Sequence, residues 1–178
     1  MNLDATLRRA MIVAHPDDET LWGGGLLLRH PGDWTVIACS IPARDPERAA
    51  KFHIACDRLG ARGIVRPYVE QEQLAGLEAI DLEPYALLVT HGAAGEYGHE
   101  HHKQVHRHVM LRAGDRPVIT FGYFSGREVL SLTPDERVRK LHALRAYDHQ
   151  SSSDRLPKWR ALLDRYGEGW LNVETFDG

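Results

Sequence analysis

Short apolar runs and amphipathic stretches alternate along the chain. Met11–Ala14, Trp34–Cys39, Gly63–Arg66, Tyr85–Thr90 and Pro117–Gly122 are bounded by turn-forming residues and read as strands. Helical spacing fills the gaps. Thr20–Arg29 carries Leu21, Leu27 and Leu28; Glu47–Leu59 puts Phe52, Cys56 and Leu59 on one stripe that Gly60 ends; Glu100–Arg112 follows a histidine-rich loop. Thr133-Pro134-Asp135-Glu136 has the form of a capping box with proline at the first helical position, opening a helix to about Tyr147. Residues 68–82 fit neither period, and Trp170-Leu171-Asn172-Val173 reads as a candidate edge strand. No internal repeat, low-complexity tract or linker divides the chain.

Strand–helix–strand alternation predicts a Rossmann-like α/β domain, one unit over residues 1–178, with a mostly parallel sheet and helices on both faces. Right-handed crossovers place the first strand beside the fourth. The crevice between their C-terminal ends is then the switch point of the sheet. The loops that enter it are 14–20 and 91–99.

Composition narrows the partners. A chain of 178 residues with 43% hydrophobic residues can build a full core. Its net charge of −3 predicts no nucleic-acid surface, and its apolar runs are too short for a membrane span. Met1-Asn2-Leu3-Asp4 lacks the basic start and apolar stretch of a signal peptide. Cys39 and Cys56 sit in apolar patterns and read as core residues, and a cytoplasmic location is the default.

The two loops at the predicted crevice hold the candidate chemistry. Ala14-His15-Pro16-Asp17-Asp18-Glu19 sets an imidazole and adjacent carboxylates at a strand end. Asp17 and Asp18 have a bland role open to them, capping the next helix. Adjacent side chains in a turning backbone diverge, however, so one can hold a metal while the other faces a water. Spacing does not say which is which. Six of the eleven histidines fall between His91 and His108. A helix starting near Glu100 puts His102, Val105, His106 and Val109 on one buried face, with His101 and His108 turned toward solvent. His102 and His106 are a possible ligand pair by spacing, His106 reading better as a packed helix residue. Lys103 occupies the place of the second histidine of a His-Glu-x-x-His zincin, so that pattern fails. Gly92, Gly95 and Gly98 suit a loop that bends sharply beside a ligand. Two imidazoles, a carboxylate and a water make an open zinc site, which activates water for amide or ester hydrolysis. No Gly-x-Gly-x-x-Gly follows the first strand, since Gly23-Gly24-Gly25 comes a turn late; this disfavours dinucleotide binding.

These residues resemble the PIG-L/LmbE family of metal-dependent N-deacetylases. Ala14 to Glu19 is similar to the family's first motif, Gly95-Glu96-Tyr97-Gly98-His99 through His102 to its second, and Lys140 to Gln150 to a third, weaker one. The resemblance implies His15, Asp18 and His102 as zinc ligands, Asp17 as general base and His99 as the acid that stabilises the oxyanion. It implies Arg48 as a contact to sugar hydroxyls, with Arg44 as a rival and a solvated surface arginine as the plain alternative. It also implies a small N-acetylated amino sugar or conjugate of the N-acetylglucosamine type as substrate. Zinc is the implied metal, with Fe2+ or Co2+ able to use the same donors; a homo-oligomer is open. Relatives usually have Pro-Asp where this chain has Glu100-His101, so His101 competes with His102 as third ligand. The loop after the second strand, Ser40 to Arg44, is short for the family. Two other readings stand beside this one: a metallohydrolase of another small amide, and a non-catalytic metal- or sugar-binding protein. Retention of both Asp17 and His99 argues against the latter, which needs neither base nor acid.

Overall fold

The computed structural model describes residues 3–4, 6–41, 45–122, 126–148 and 173–178. Seven strands form one sheet: β1 Arg9–Val13, β2 Trp34–Ala38, β3 Arg62–Val65, β4 Leu87–Thr90, β5 Val118–Phe121, β6 Glu128–Ser131 and β7 Val173–Asp177, in the order β3-β2-β1-β4-β5-β7-β6. The first five are parallel, and β7 runs antiparallel to both β5 and β6. β1 is buried along its whole length, as a central parallel strand must be when both faces are covered.

Alternate residues of β1 build the two halves of the core. Met11 and Val13 pack with α1 (Asp18–Arg29), α2 (Arg48–Leu59) and α6 (Pro134–Leu144). Ala10, Ile12 and Ala14 pack with Leu77 of α3 (Gln73–Glu78) and with Val105 and Val109 of α5 (Glu100–Arg112). A single turn, α4 (Gly95–Gly98), lies between β4 and α5. The expected α/β architecture, the β1–β4 neighbourhood and the core positions of Cys39 and Cys56 are all present. Among the described residues no helix is long and apolar enough to cross a membrane.

Two differences from the sequence reading have physical causes. The edge strand expected at 170–173 starts only at Val173 and lies inside the sheet, between β5 and β6; residues 170–172 fall outside the described ones. In β7 the buried positions are Glu174 and Phe176, so a charged residue occupies an inward place and hides the alternation. β6 escapes the pattern because it is short and mostly exposed, Val129 included. The ambiguous stretch 68–82 becomes a 3-10 turn at Glu70–Glu72 followed by α3.

Glu174 explains its own burial. Its carboxylate accepts the backbone N–H groups of Gly25 (2.5 Å) and Leu26 (2.9 Å) in the middle of α1. Lys140 Nζ donates to Glu174 Oε1 (2.7 Å) and to the Leu21 carbonyl (3.1 Å). A Cβ on Gly25 would lie 2.7 Å from Leu132 Cδ2 and 3.0 Å from the Glu174 carboxylate, so only glycine admits this approach. At the end of α1, Arg29 donates to both oxygens of Glu136, at 2.5 and 2.6 Å. Glu136 also closes the capping box that the sequence predicts with Thr133. The Arg29 hydrogen bonds hold the Glu136 carboxyl down at about 2.

The pair Lys140–Glu174 is almost fully buried, so removing one partner strands the other charge. Lys140→Met is expected to lower unfolding stability by about 3–5 kcal/mol. Chemical denaturation checks this; a loss below about 1 kcal/mol would show that the two helix N–H groups alone suffice to hold Glu174.

Candidate active site

The chain leaves β1 through a tight turn. The Asp18 side chain folds back, Oδ2 accepting the N–H of His15 (3.0 Å), while Trp22 Nε1 donates to Oδ1 (3.3 Å). Asp17 stands at φ 114°, an unfavourable conformation for a residue other than glycine. Its N–H is held by Glu19 Oε2 (3.0 Å). Glu19 is anchored in turn by Thr20 Oγ1 (2.5 Å) and by the Tyr147 hydroxyl (2.8 Å), both donating to Oε1. Burial pushes the Glu19 carboxyl up to about 7.

The second loop leaves the adjacent end of β4. His91 is fully buried, and its Nε2 accepts the N–H of Ala14 (2.9 Å). Its Nδ1 donates to Glu96 Oε2 (2.9 Å), and His102 Nδ1 donates to the same oxygen. Burial would raise the pKa of Glu96, but the adjacent His91 and His102 rings and their hydrogen bonds hold it at about 2. His99 caps α5 in an extended conformation, and His102 follows in the first turn with no exposure.

Asp18 Oδ2 is the point where the two loops meet. It lies 3.4 Å from His15 Nδ1, 3.3 Å from His102 Nε2 and 3.7 Å from His91 Nε2. His99 stacks on His102, with ring centroids 4.6 Å apart, and meets His15 edge-on at 5.1 Å. Two trios have donor atoms within 4.8 Å of one another: His15–His99–His102 and Asp18–His91–His102. The lone pair of His91 Nε2 is already taken by Ala14 N–H, which removes His91 as a donor. His102 Nε2 is buried and makes no hydrogen bond among the described residues, although it faces the Asp18 carboxylate. Four-coordinate zinc with bonds of about 2.0–2.1 Å sets neighbouring ligand atoms roughly 3.3–3.4 Å apart. The separations from Asp18 Oδ2 to His15 Nδ1 and to His102 Nε2 match that spacing, although His15, Asp18 and His102 together are not one of the two trios.

The structure thus brings His15, Asp18, His99 and His102 together, with Asp17 beside them. Arg48 is the first residue of α2 and is mostly buried, its Nη1 3.5 Å from Asp17 Oδ2. The surface-arginine alternative does not hold. Asp45 supports Arg48 at 3.3 Å and Lys51 at 3.5 Å. Arg44, His149 and Gln150 lie outside the described residues.

Two helix histidines need comment. His106 bonds the His91 carbonyl through Nδ1 (2.8 Å), the packed role its spacing suggested. His101 does not face solvent as expected: its Nδ1 is 3.2 Å from His15 Nε2. A non-helical turn at Glu96, with φ 53° and ψ −87°, precedes α5. Sequence reasoning missed Glu96, His91, Glu19 and Tyr147 as supports, although all four lie in or beside the quoted motifs. The bonds of His91 to Ala14 and of Tyr147 to Glu19 join residues distant in sequence, and the local bonds of Glu96 and Glu19 follow no helix or strand spacing.

No family model matches the chain. Over 102 residues, 52% of the chain, it is 34% identical to the 1D-myo-inositol 2-acetamido-2-deoxy-alpha-D-glucopyranoside deacetylase of Actinosynnema mirum, and the match spans 33% of that relative. The chain therefore spans about a third of the length of that protein. Its fold superposes on the A40926 pseudoaglycone deacetylase with a TM-score of 0.71 and 20% identity, covering 97% of this chain and 96% of the other. It also superposes on the 4-carboxy-2-hydroxymuconate hydratase of Pseudomonas putida KT2440, at a TM-score of 0.64 and 15% identity, covering 96% and 95%. At such identities the structural likeness shows the fold, and that fold carries more than one reaction.

The protonation of His102 generates a measurable consequence. Burial alone would lower its pKa, but Asp18 and Glu96 raise it to about 9. A pKa raised from 6.5 stabilises the metal-free fold fully below pH 6.5, and this contribution fades as pH rises through about 9. A metal at Nε2 must displace that proton. Zinc affinity should therefore rise about tenfold per pH unit between pH 7 and 8.5, with close to one extra proton released per metal. Calorimetric titration in buffers of different ionisation heat measures both; a flat affinity over this window would exclude His102 as a protonated competitor.

Proposed function

We propose that the chain is a zinc-dependent N-deacetylase of the PIG-L/LmbE kind, acting on a small N-acetylated amino sugar or a conjugate of one, a reading supported by its 34% identity over 102 residues to a deacetylase. The observation that carries this reading is the meeting of His15 Nδ1, Asp18 Oδ2 and His102 Nε2 at the mouth of the β1–β4 crevice. Those three residues would hold the metal, with His102 preferred over His101 because His102 belongs to both close donor trios and His101 to neither. Zinc held there polarises an amide carbonyl and brings the pKa of a bound water down to roughly 7. Fe2+ or Co2+ suits the same donors.

The remaining steps belong to side chains. Asp17, beside Arg48 at the start of α1, takes the proton of the attacking water. His99, stacked on His102, donates to the carbonyl oxygen as it gains charge. The leaving amine then recovers the proton from Asp17. Arg48 and Asp45 offer a donor fork and a carboxylate beside Asp17, suited to hydroxyl groups around the acetamido carbon. The buried unpaired thiols Cys39 and Cys56 support a reducing compartment such as the cytoplasm.

The decisive assay incubates the zinc-loaded protein with a panel of N-acetylated amino sugars and conjugates, reading free amine and acetate together. Release of amine from other small amides only would support the broader metallohydrolase reading. No turnover with metal bound would favour a binding protein.

Given an active substrate, Asp17→Asn keeps the shape of the side chain but cannot accept a proton. It should retain the metal and lose about 10²–10⁴-fold in kcat; near-normal kcat would exclude Asp17 as base. His99→Ala should also keep the metal and lose kcat by an amount equivalent to roughly 3–4 kcal/mol, because its contact strengthens only as the carbonyl becomes tetrahedral. A rise confined to KM would make His99 a substrate-binding residue.

A further inference from the structure

We propose that Glu96 is the positioning residue of the metal centre: it fixes the tautomer and ring orientation of His102, and is itself tied to β1 through His91. The inference rests on the reading of His102 as a ligand.

The bonding leaves little freedom. Ala14 N–H donates to His91 Nε2, so that nitrogen carries a lone pair and the proton of a neutral ring sits on Nδ1. From there it points at Glu96 Oε2. The same oxygen accepts from His102 Nδ1, and Glu96 Oε1 accepts the N–H of Gly92 (2.9 Å). One carboxylate thus receives three N–H groups. With its proton held on Nδ1, a neutral His102 has its lone pair on Nε2, the atom facing Asp18 Oδ2. His91 and His102 are stacked with centroids 3.9 Å apart and planes at 25°, which further restricts ring rotation. A carboxylate behind a ligating imidazole raises its basicity and locks its direction.

The backbone points the same way. Glu96 stands at φ 53° and ψ −87°, a strained conformation for a non-glycine residue. Glycine would relieve that strain but provide no carboxylate. The strain is tolerated where this side chain must reach back under two imidazoles.

The test compares zinc affinities of metal-free proteins, titrated against a chromophoric chelator. Glu96→Gln can accept only through one oxygen and turns an NH2 donor toward N–H groups. It should bind zinc about 10–100-fold more weakly than the parent. Glu136→Gln, at a carboxylate far from the site that also braces α1, is the control. It should lower the melting temperature and leave the zinc affinity unchanged. In the zinc-loaded parent the His102 Nδ1 proton should resonate far downfield and exchange slowly. That signal should be lost in Glu96→Gln and kept in Glu136→Gln. If Glu96→Gln does not fold, Glu96→Asp decides by the same titration: it keeps the charge but cannot span both rings. Parent-like affinity in the folded Glu96 variant overturns the proposal. His102→Ala separates the two readings. Zinc binding by the parent that survives in His102→Ala overturns the ligand assignment, and with it this inference. Loss in His102→Ala beside parent-like Glu96→Gln overturns the role of Glu96 alone.

Discussion

Parallel pairing of β1 with β4 is the constraint from which the site follows. Ile12 lies opposite Thr90, so the chain leaves both strands at the same level and the two loops emerge side by side. The hydrogen bond from Ala14 N–H to His91 Nε2 extends that pairing by one step beyond the ladder, with an imidazole in place of a backbone carbonyl. Residues 77 positions apart are thereby locked at hydrogen-bond distance before any ligand is considered. Everything downstream inherits this fixed separation: the turn at Asp17, the meeting of Asp18 with His102, and the carboxylate beneath the two rings.

Helix α1 carries the first loop, and the chain's later segments hold that helix in place. Lys140 and Glu174 grip its middle at Leu21, Gly25 and Leu26, and Arg29 with Glu136 grips its end. Tyr147 reaches its beginning through Glu19, whose other oxygen supports the strained Asp17. The third, weaker motif therefore makes physical sense without touching a substrate. Its lysine and tyrosine are braces on the element that aims Asp17 and Asp18. Burial of Glu174 and Glu136 is tolerable because both oxygens of each carboxylate have donors.

Much of this was legible in the sequence, for identifiable reasons. The central strands β1, β2 and β4 are buried along their whole length and are mostly apolar, so their pattern is strong. The crevice followed from connection handedness, and the two ligand-bearing loops fell on it. What was not legible involves polar residues in inward places. Glu174 breaks the alternation of β7, because its partners lie near residue 25 and on α6. Glu96 sits among glycines as one more loop residue until its φ and its two imidazoles are seen. Helical spacing alone puts His101 toward solvent; its contact with His15, 86 residues away, lies outside anything that spacing can signal.

That contact bears on how this chain differs from its resemblance. Where relatives usually have Pro-Asp, this chain has Glu100-His101, and the His101 ring lies against His15 Nε2. If His15 ligates through Nδ1, as its approach to Asp18 indicates, its Nε2 carries the proton and His101 Nδ1 accepts it. His15 is then backed by a neutral imidazole, while His102 is backed by a carboxylate. A carboxylate enriches the electron density of an imidazole more than a neutral ring does. If both histidines ligate as proposed, they are thus unequal by construction. The firmer donor would be the one anchored through Glu96 and His91 to the sheet, and the softer one His15, beside His99.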